Sequence, residues 1–302
     1  MQESLKQETE KLARCWMQHE AAWLRDYLVA DVEDPRLNLQ SILSRHFLLR
    51  AIAGERFQAL MEQEYRFAAV MNWLRALARR VGDTEELAAV LHALKQGADN
   101  AEGIEIPQFV VRAFASLPAV AGDLTVPNYL ESFLTATLVE KGQAKLHEPS
   151  LETFQKLWNT ALAGESPAPL SVLEPACGSA NDFRFLQAYG IARLVDYTGF
   201  DLCAKNVENA RALFPHFRFE TGNVFAIAAP DKAYDFCFAH DLLEHLSPEG
   251  MQTAVQELCR VTRRGLCVGF FNMDEIPAHL VQPVEEYHWN KLSMARMKEL
   301  FA

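Results

Sequence analysis

Apolar and aromatic residues in the first half of the chain recur three and four positions apart, the spacing of a helix face. Within Gln2–Val29 the positions Leu12, Cys15, Trp16, Ala22, Trp23 and Tyr27 follow it, and Asp31–Pro35 makes a turn that proline enforces. Leu39–Ala53 and Glu55–Val81 repeat the pattern about a break at Gly54. Asp83 is placed to cap Thr84–Lys95, with Glu85 and Glu86 at the positive end of that helix. Pro107–Ser116 and Pro127–Val139 carry proline in the first turn, where its missing N–H costs nothing. Gly97–Glu105 and Ala119–Thr125 read as loops, and Trp16, Trp23, Phe47, Phe57, Tyr65, Phe67 and Trp73 are expected to fill a helical core.

The period changes near residue 148. A helix over Leu151–Leu162 meets the breaker GESPAP, and short apolar runs then alternate with helical ones. Strands are expected at Leu170–Glu174, Tyr197–Asp201, Phe217–Thr221, Tyr234–Ala239 and Gly265–Phe271. Helices are expected at Asn181–Ala188, Cys203–Leu213, Asp241–Leu246 and Gly250–Val261, with a last one over Leu292–Ala302. Such alternation predicts an α/β fold, a doubly wound and mostly parallel Rossmann-like sheet, behind an N-terminal all-α domain. The boundary is expected at 125/126.

Charge narrows the partners. The 302 residues carry a net charge of −11, and both halves are acidic, so a nucleic acid or a membrane surface is not expected. The opening MQESLKQETEKLARCW lacks the apolar core of a secretory signal, and no run reaches the roughly 20 apolar residues of a membrane span. Six cysteines without a CxxC pair read as reduced, buried thiols, and the expected location is cytoplasmic.

The informative stretch is strand, then Glu174-Pro-Ala-Cys-Gly-Ser-Ala180, then helix. In doubly wound sheets the loop after the first strand lies at the ligand-binding switch point. Gly178 is the position there that most needs a positive φ or a missing Cβ. The next strand ends in Asp201, where an acid can accept from both ribose hydroxyls, and the one after ends in Gly222-Asn223-Val224, beside an adenine ring. A single glycine and the leading Glu174 suit a pyrophosphate poorly, which disfavours a nicotinamide dinucleotide. They suit a cationic, amino-acid-bearing nucleoside, for which S-adenosylmethionine is the natural candidate.

These residues resemble the class I S-adenosylmethionine-dependent methyltransferases, particularly the small-molecule group, over residues 149–302. The family's acid-x-Gly-x-Gly-x-Gly opening stands here as Glu174-Pro-Ala176-Cys-Gly178-Ser-Ala180, its ribose acid as Asp201, and its Gly-Asp-apolar motif as Gly222-Asn223-Val224 with amide replacing acid. Phe238-Ala-His-Asp241-Leu-Leu-Glu-His245-Leu matches its segment after strand four, and Arg260-Val-Thr-Arg-Arg-Gly265 its turn before strand five. The resemblance implies S-adenosylmethionine as cofactor, S-adenosylhomocysteine as product, and a small-molecule acceptor methylated on O, N or C. Glu174 and Gly178 would hold the methionine part, Asp201 the ribose, and Asn223 and Val224 the adenine. Ala176, Asn181, Leu202, Asn206, His240, Asp241 and Leu242 complete the cofactor-binding set. A cofactor-binding module without turnover is the alternative reading.

His240, Tyr287 and His288 are the candidate catalytic residues, placed to take a proton from the acceptor. On a helix His240 would stand over Glu244 and Asp241 over His245, but the later His279, Gln282, Glu285 and His288 form no matching pair, so no metal is expected. Cys177 reads as packing. The family's sheet closes with an antiparallel hairpin after its last helix, which is not found before Ala302, so the chain is expected to be a fragment. Residues 126–165 are expected to enclose the acceptor, and residues 1–118 to support that lid or make a homo-oligomer contact.

Overall fold

Helices form in the first half where the pattern places them, but they do not all belong together. The computed structural model describes residues 3–18, 36–81, 84–116, 152–284 and 287–302. They contain α1 (Glu3–Gln18), α2 (Leu39–Ala53), α3 (Gln58–Val81), α4 (Thr84–Lys95), α5 (Gln108–Ser116) and α6 (Thr153–Leu162). Asn38 caps α2 by accepting the N–H groups of Gln40 and Ser41 at 2.9 and 3.2 Å. The expected cap Asp83 and the helix Pro127–Val139 lie outside the described residues. The expected loop at 97–105 closes instead as a hairpin of β1 (Asn100–Ala101) and β2 (Ile104–Glu105), because Glu102 and Gly103 both take positive φ.

The chain divides into one unit of Met1–Val32 with Glu165–Ala302 and another of Glu33–Gly164. That division differs from a single boundary at 125/126, and side chains show why. In α6, Phe154 stacks near Phe67 at 5.0 Å, and the fully buried Trp158 donates its indole N–H to Glu64 at 2.6 Å. The buried face of α6 thus packs within the helical unit. Residues 126–151 of the expected lid lie outside the described residues. Of the expected core aromatics, Phe67 is fully buried while Phe47, Phe57, Tyr65 and Trp73 are half-buried.

Glu64 also takes hydrogen bonds from Arg45 at 2.8 Å and His46 at 2.6 Å, all three residues being buried. Burial opposes ionisation of Glu64, but Arg45 and His46 more than reverse it and hold the carboxyl below its ordinary value.

In the other unit β3 (Ser171–Pro175), β4 (Asp196–Asp201), β5 (Arg218–Thr221), β6 (Tyr234–His240) and β7 (Thr262–Gly269) form one parallel sheet ordered β5-β4-β3-β6-β7. The helices α7 (Asn181–Ala188), α8 (Ala204–Leu213) and α9 (Pro248–Val261) connect them. Strand β7 starts three residues before Gly265, so Arg263 and Arg264 belong to a strand and not to a turn. Both reach Asp235, at 3.4 and 3.1 Å. The segment expected as a helix at 241–246 makes only a single tight turn at Leu243–His245. Asp241 takes φ +49° and donates its N–H to the Gly269 carbonyl, which prolongs the sheet edge and forbids a helix there. His240 therefore ends a strand, and the His240/Glu244 and Asp241/His245 helical pairs do not exist.

No helix forms in the 222–233 crossover, where a parallel connection commonly has one. Arg260 on α9 clamps this stretch by donating to the carbonyls of Ala229 and Ile227 at 2.7 and 2.9 Å. On that face α1 adds apolar cover, with Leu5 and Leu12 buried among Val224, Phe225 and Met251. After β7 come β8 (Met273–Asp274), β9 (Pro283–Val284), β10 (Tyr287–His288), β11 (Leu292–Ser293) and the last helix α10 (Met294–Leu300). Among the described residues no helix is long and apolar enough to cross a membrane.

One consequence concerns the helical unit. Glu64→Gln would leave Arg45 buried beside a neutral group, at a cost of about 3–5 kcal/mol. Since the folded carboxyl lies below its ordinary value, its contribution is complete above that value and is lost as pH falls through the folded one. Urea denaturation at pH 7 and pH 4 should show the variant's deficit shrinking at the lower pH; a deficit below about 1 kcal/mol at pH 7 contradicts this.

Candidate functional site

Strand β3 has β4 on one side and β6 on the other, and the chain winds outward from it in both directions, which puts the switch point at its carboxyl end. The loop leaving that end carries positive φ at Ala176 (+55°), Gly178 (+53°) and Ala180 (+68°). These are the three positions that the resemblance aligned with glycines, so the backbone shape is kept although two alanines bear it. At Gly178 the conformation is the reason for glycine, because an added Cβ would meet nothing within 4 Å.

Asp201, at the end of β4, holds this loop. It accepts the N–H of Gly178 at 2.9 Å, the N–H of Cys203 at 2.8 Å and the Asn206 amide at 3.2 Å. Burial nevertheless raises its carboxyl above the ordinary value, the three donors only partly opposing it. Asn206 also accepts from Ser179 at 3.2 Å, so the first loop and the start of α8 form one polar frame. Leu202 lies half-buried beside it and packs on the core.

Glu174 is buried at the end of β3 and accepts the Tyr197 hydroxyl at 2.5 Å. Its carboxyl stands well above the usual range, chiefly from burial, then from the neighbouring Asp182, with Asp201 adding to it against the Tyr197 bond. Gly199 is what lets the hydroxyl in: a Cβ there would sit 2.7 Å from the Tyr197 oxygen and 3.1 Å from the Cys177 sulfur. Burial, then Glu174 and Asp201, push the Cys177 thiol up and keep it protonated, as a packing residue requires.

His240, at the end of β6, gives its Nδ1–H to Asp182 at 2.9 Å. Burial works against the imidazolium, but Asp182 more than compensates and the ring stays above its ordinary value. Asn181 opens α7 beside Asp182, and Asp241 is exposed next to His240, with Leu242 half-buried against the core. The structure thus brings Glu174, Ala176, Gly178, Asn181, Asp201, Asn206, His240 and Asp241 to the ends of three adjacent strands. Asn223 and Val224 follow β5, where Val224 is buried and Asn223 accepts the Phe225 N–H at 2.9 Å.

Tyr287 and His288 stand on β10, within a second group. The carbonyl of His288 accepts from His245 Nδ1 at 3.1 Å, and the His245 ring lies 5.8 Å from Tyr287, 5.4 Å from Trp289 and 5.6 Å from Phe271. Burial lowers the His245 imidazole. Beneath it Glu244 accepts the N–H of Phe271 at 2.7 Å and is pushed up to about 7, chiefly by burial and with Asp241 contributing. His279 accepts the Ser293 N–H at 3.0 Å. Among the described residues no group of three or more His, Cys, Asp or Glu is placed to hold a metal. Tyr197 and Asp182 were not singled out from the sequence; the Tyr-x-Gly spacing of β4, with both residues on one face, was the available signal for the first.

A family model described as a methyltransferase domain matches residues 172–265, the span from β3 into β7. The match covers under a third of the chain and makes those residues similar to a methyltransferase domain. The observed strand order is that of the class I methyltransferase fold, which supports S-adenosylmethionine and S-adenosylhomocysteine as cofactor and product. Among solved structures, this chain is similar to a protein of Pyrococcus horikoshii, PH0226, at 19% identity and TM-score 0.36, over 58% of this chain and 87% of that one. The 1,6-didemethyltoxoflavin-N1-methyltransferase of Burkholderia thailandensis, solved with S-adenosylhomocysteine, matches at 15% identity and TM-score 0.35 over 48% and 62%. The cyclase SpnF matches at 19% and 0.33 over 50% and 57%, so this chain spans under two thirds of either of these last two proteins. No curated protein matches the chain.

Two glycines in the methyltransferase domain should respond differently to alanine. Gly178→Ala should cost about 1 kcal/mol through its positive φ alone. Gly199→Ala must displace the Tyr197 hydroxyl and should cost about 1–3 kcal/mol. Thermal denaturation of the two variants checks this, and equal stability of Gly199→Ala and wild type would contradict it.

Proposed function

We propose that the chain binds S-adenosylmethionine at this switch point and transfers its methyl group to an O, N or C atom of a small-molecule acceptor. The observation that carries the reading is the gathering of Glu174, Asp182 and Asp201 around one loop, where burial and mutual repulsion raise Glu174 and burial raises Asp201. His240 is a basic side chain bonded within this group. Such a site favours a ligand that brings positive charge, and an amino-acid sulfonium brings two. The residues fit it: Glu174 and the loop at Ala176–Ala180 for the amino-acid end, Asp201 for the ribose, Asn223 and Val224 for the base.

When bound, the cofactor supplies a methyl carbon already electrophilic through its sulfonium. The protein then has to hold the acceptor opposite the sulfur and keep water out. His240, oriented by Asp182 through Nδ1, is the proton acceptor in this reading and acts in its neutral form. Tyr287 and His288 belong to the group around His245, which offers aromatic surface to an acceptor from the β6 and β7 side.

Calorimetry should show S-adenosylhomocysteine binding in the micromolar range, and Asp201→Ala should weaken it by roughly 1.5–3 kcal/mol. A cation beside Glu174 draws its raised carboxyl back down, so binding releases a proton and affinity rises with pH until the free carboxyl is ionised. Titrations in buffers of different ionisation enthalpy read that release. Affinity that is independent of pH, or displacement by NADH, would contradict the assignment, and absence of S-adenosylhomocysteine formation with any acceptor pool would leave a binding module without turnover.

A further inference from the structure

The methyltransferase domain is gripped by a helix from the far end of the sequence. Glu8 on α1 accepts the Ser247 N–H at 2.7 Å through Oε1 and the Ser247 hydroxyl at 2.5 Å through Oε2. That hydroxyl oxygen in turn accepts the Gly250 N–H at 2.9 Å and caps α9. Gly250 sits in the first turn of α9, and a Cβ on it would lie 2.9 and 3.0 Å from the Glu8 carboxylate oxygens. Glycine at this helical position weakens the helix, and its use here is to admit Glu8.

One residue further on, Thr9 donates its hydroxyl proton to the Leu5 carbonyl at 2.8 Å. The Thr9 oxygen is then left as an acceptor, and the Asn223 amide donates to it at 3.1 Å. The other end of the Asn223 amide is committed to the Phe225 N–H. A carboxylate at 223 has no N–H to give, so Thr9 would have to release the Leu5 carbonyl in order to donate to it. The amide that stands where the resemblance expects an acid is therefore the residue type that lets Thr9 keep both bonds.

We propose that α1 is a working part of the cofactor site: keyed into the start of α9 by Glu8, it fixes Asn223 through Thr9, so that cofactor affinity follows the docking of α1. Thr9 is a positioning residue in this account, acting through Asn223. The inference rests on the reading of Asn223 as an adenine-side contact. Leu5 and Leu12, buried with Val224 and Phe225, tie α1 to the same stretch of chain.

The test uses the full chain, S-adenosylhomocysteine as probe, calorimetry and hydrogen exchange. Thr9→Val and Asn223→Asp should each weaken binding about 3- to 10-fold, and Thr9→Ser, which keeps the hydroxyl, should bind within about twofold of wild type. In the wild type the probe should slow exchange across residues 3–18, a readout that a merely structural helix would not move. If wild type binds the probe while exchange in 3–18 is unchanged and Thr9→Val binds normally, α1 is structural only and the proposal falls, with the cofactor reading intact. If wild type does not bind the probe, the cofactor reading fails and this proposal with it. Should Thr9→Val not fold, the wild-type exchange and Thr9→Ser affinity still decide.

Discussion

Carboxyl groups crowded together at the end of β3, with Glu174 and Asp201 buried, are the constraint on which the rest of the site depends. Glu174 is buried, has one hydroxyl donor in Tyr197, and shares its surroundings with Asp182 and Asp201. Three neighbouring carboxylates in low-dielectric surroundings are tolerable only if protons, donors or a cation offset them. The fold supplies the donors: the loop amide of Gly178, the Cys203 amide and the Asn206 side chain serve Asp201, and His240 serves Asp182. What it leaves is a position where a positively charged ligand gains more than it would in water.

The surrounding architecture holds that position in place by substitutions for missing parts. The 222–233 crossover lacks a helix, so Arg260 clamps its carbonyls and α1 covers the exposed face with Leu5 and Leu12. Glu8 and Thr9 then turn a packing helix into one with polar connections to the ends of β5 and α9. In the separate helical unit a comparable economy appears, where a single buried Glu64 joins α2, α3 and α6 through Arg45, His46 and Trp158.

Legibility in the sequence followed the range of the interactions involved. Helices α2, α4 and α7 lie where the spacing of their apolar positions places them, since that is a local signal. The loop after β3 and the acid ending β4 were legible because order along the chain fixes which strand ends meet. The segment 241–246 was not, because an amide–carbonyl bond from Asp241 to Gly269 across the sheet overrides a helical pattern. Nor was the partition of α1 and α6 visible: Thr9 meets Asn223 and Glu64 meets Trp158 only in three dimensions. Asn223 stands out in the sequence as a departure from the resembled motif, but its partner Thr9 lies more than two hundred residues away.

The most direct measurement of the central claim compares two ligands that differ by one charge. S-adenosylhomocysteine and its deaminated analogue, which lacks the amino group, should be titrated into wild type and into Glu174→Gln. If charge at the end of β3 selects the ligand, the wild type should prefer the amine by roughly 10- to 100-fold, and Glu174→Gln should lose most of that preference. Equal affinity of the wild type for both ligands would contradict the account.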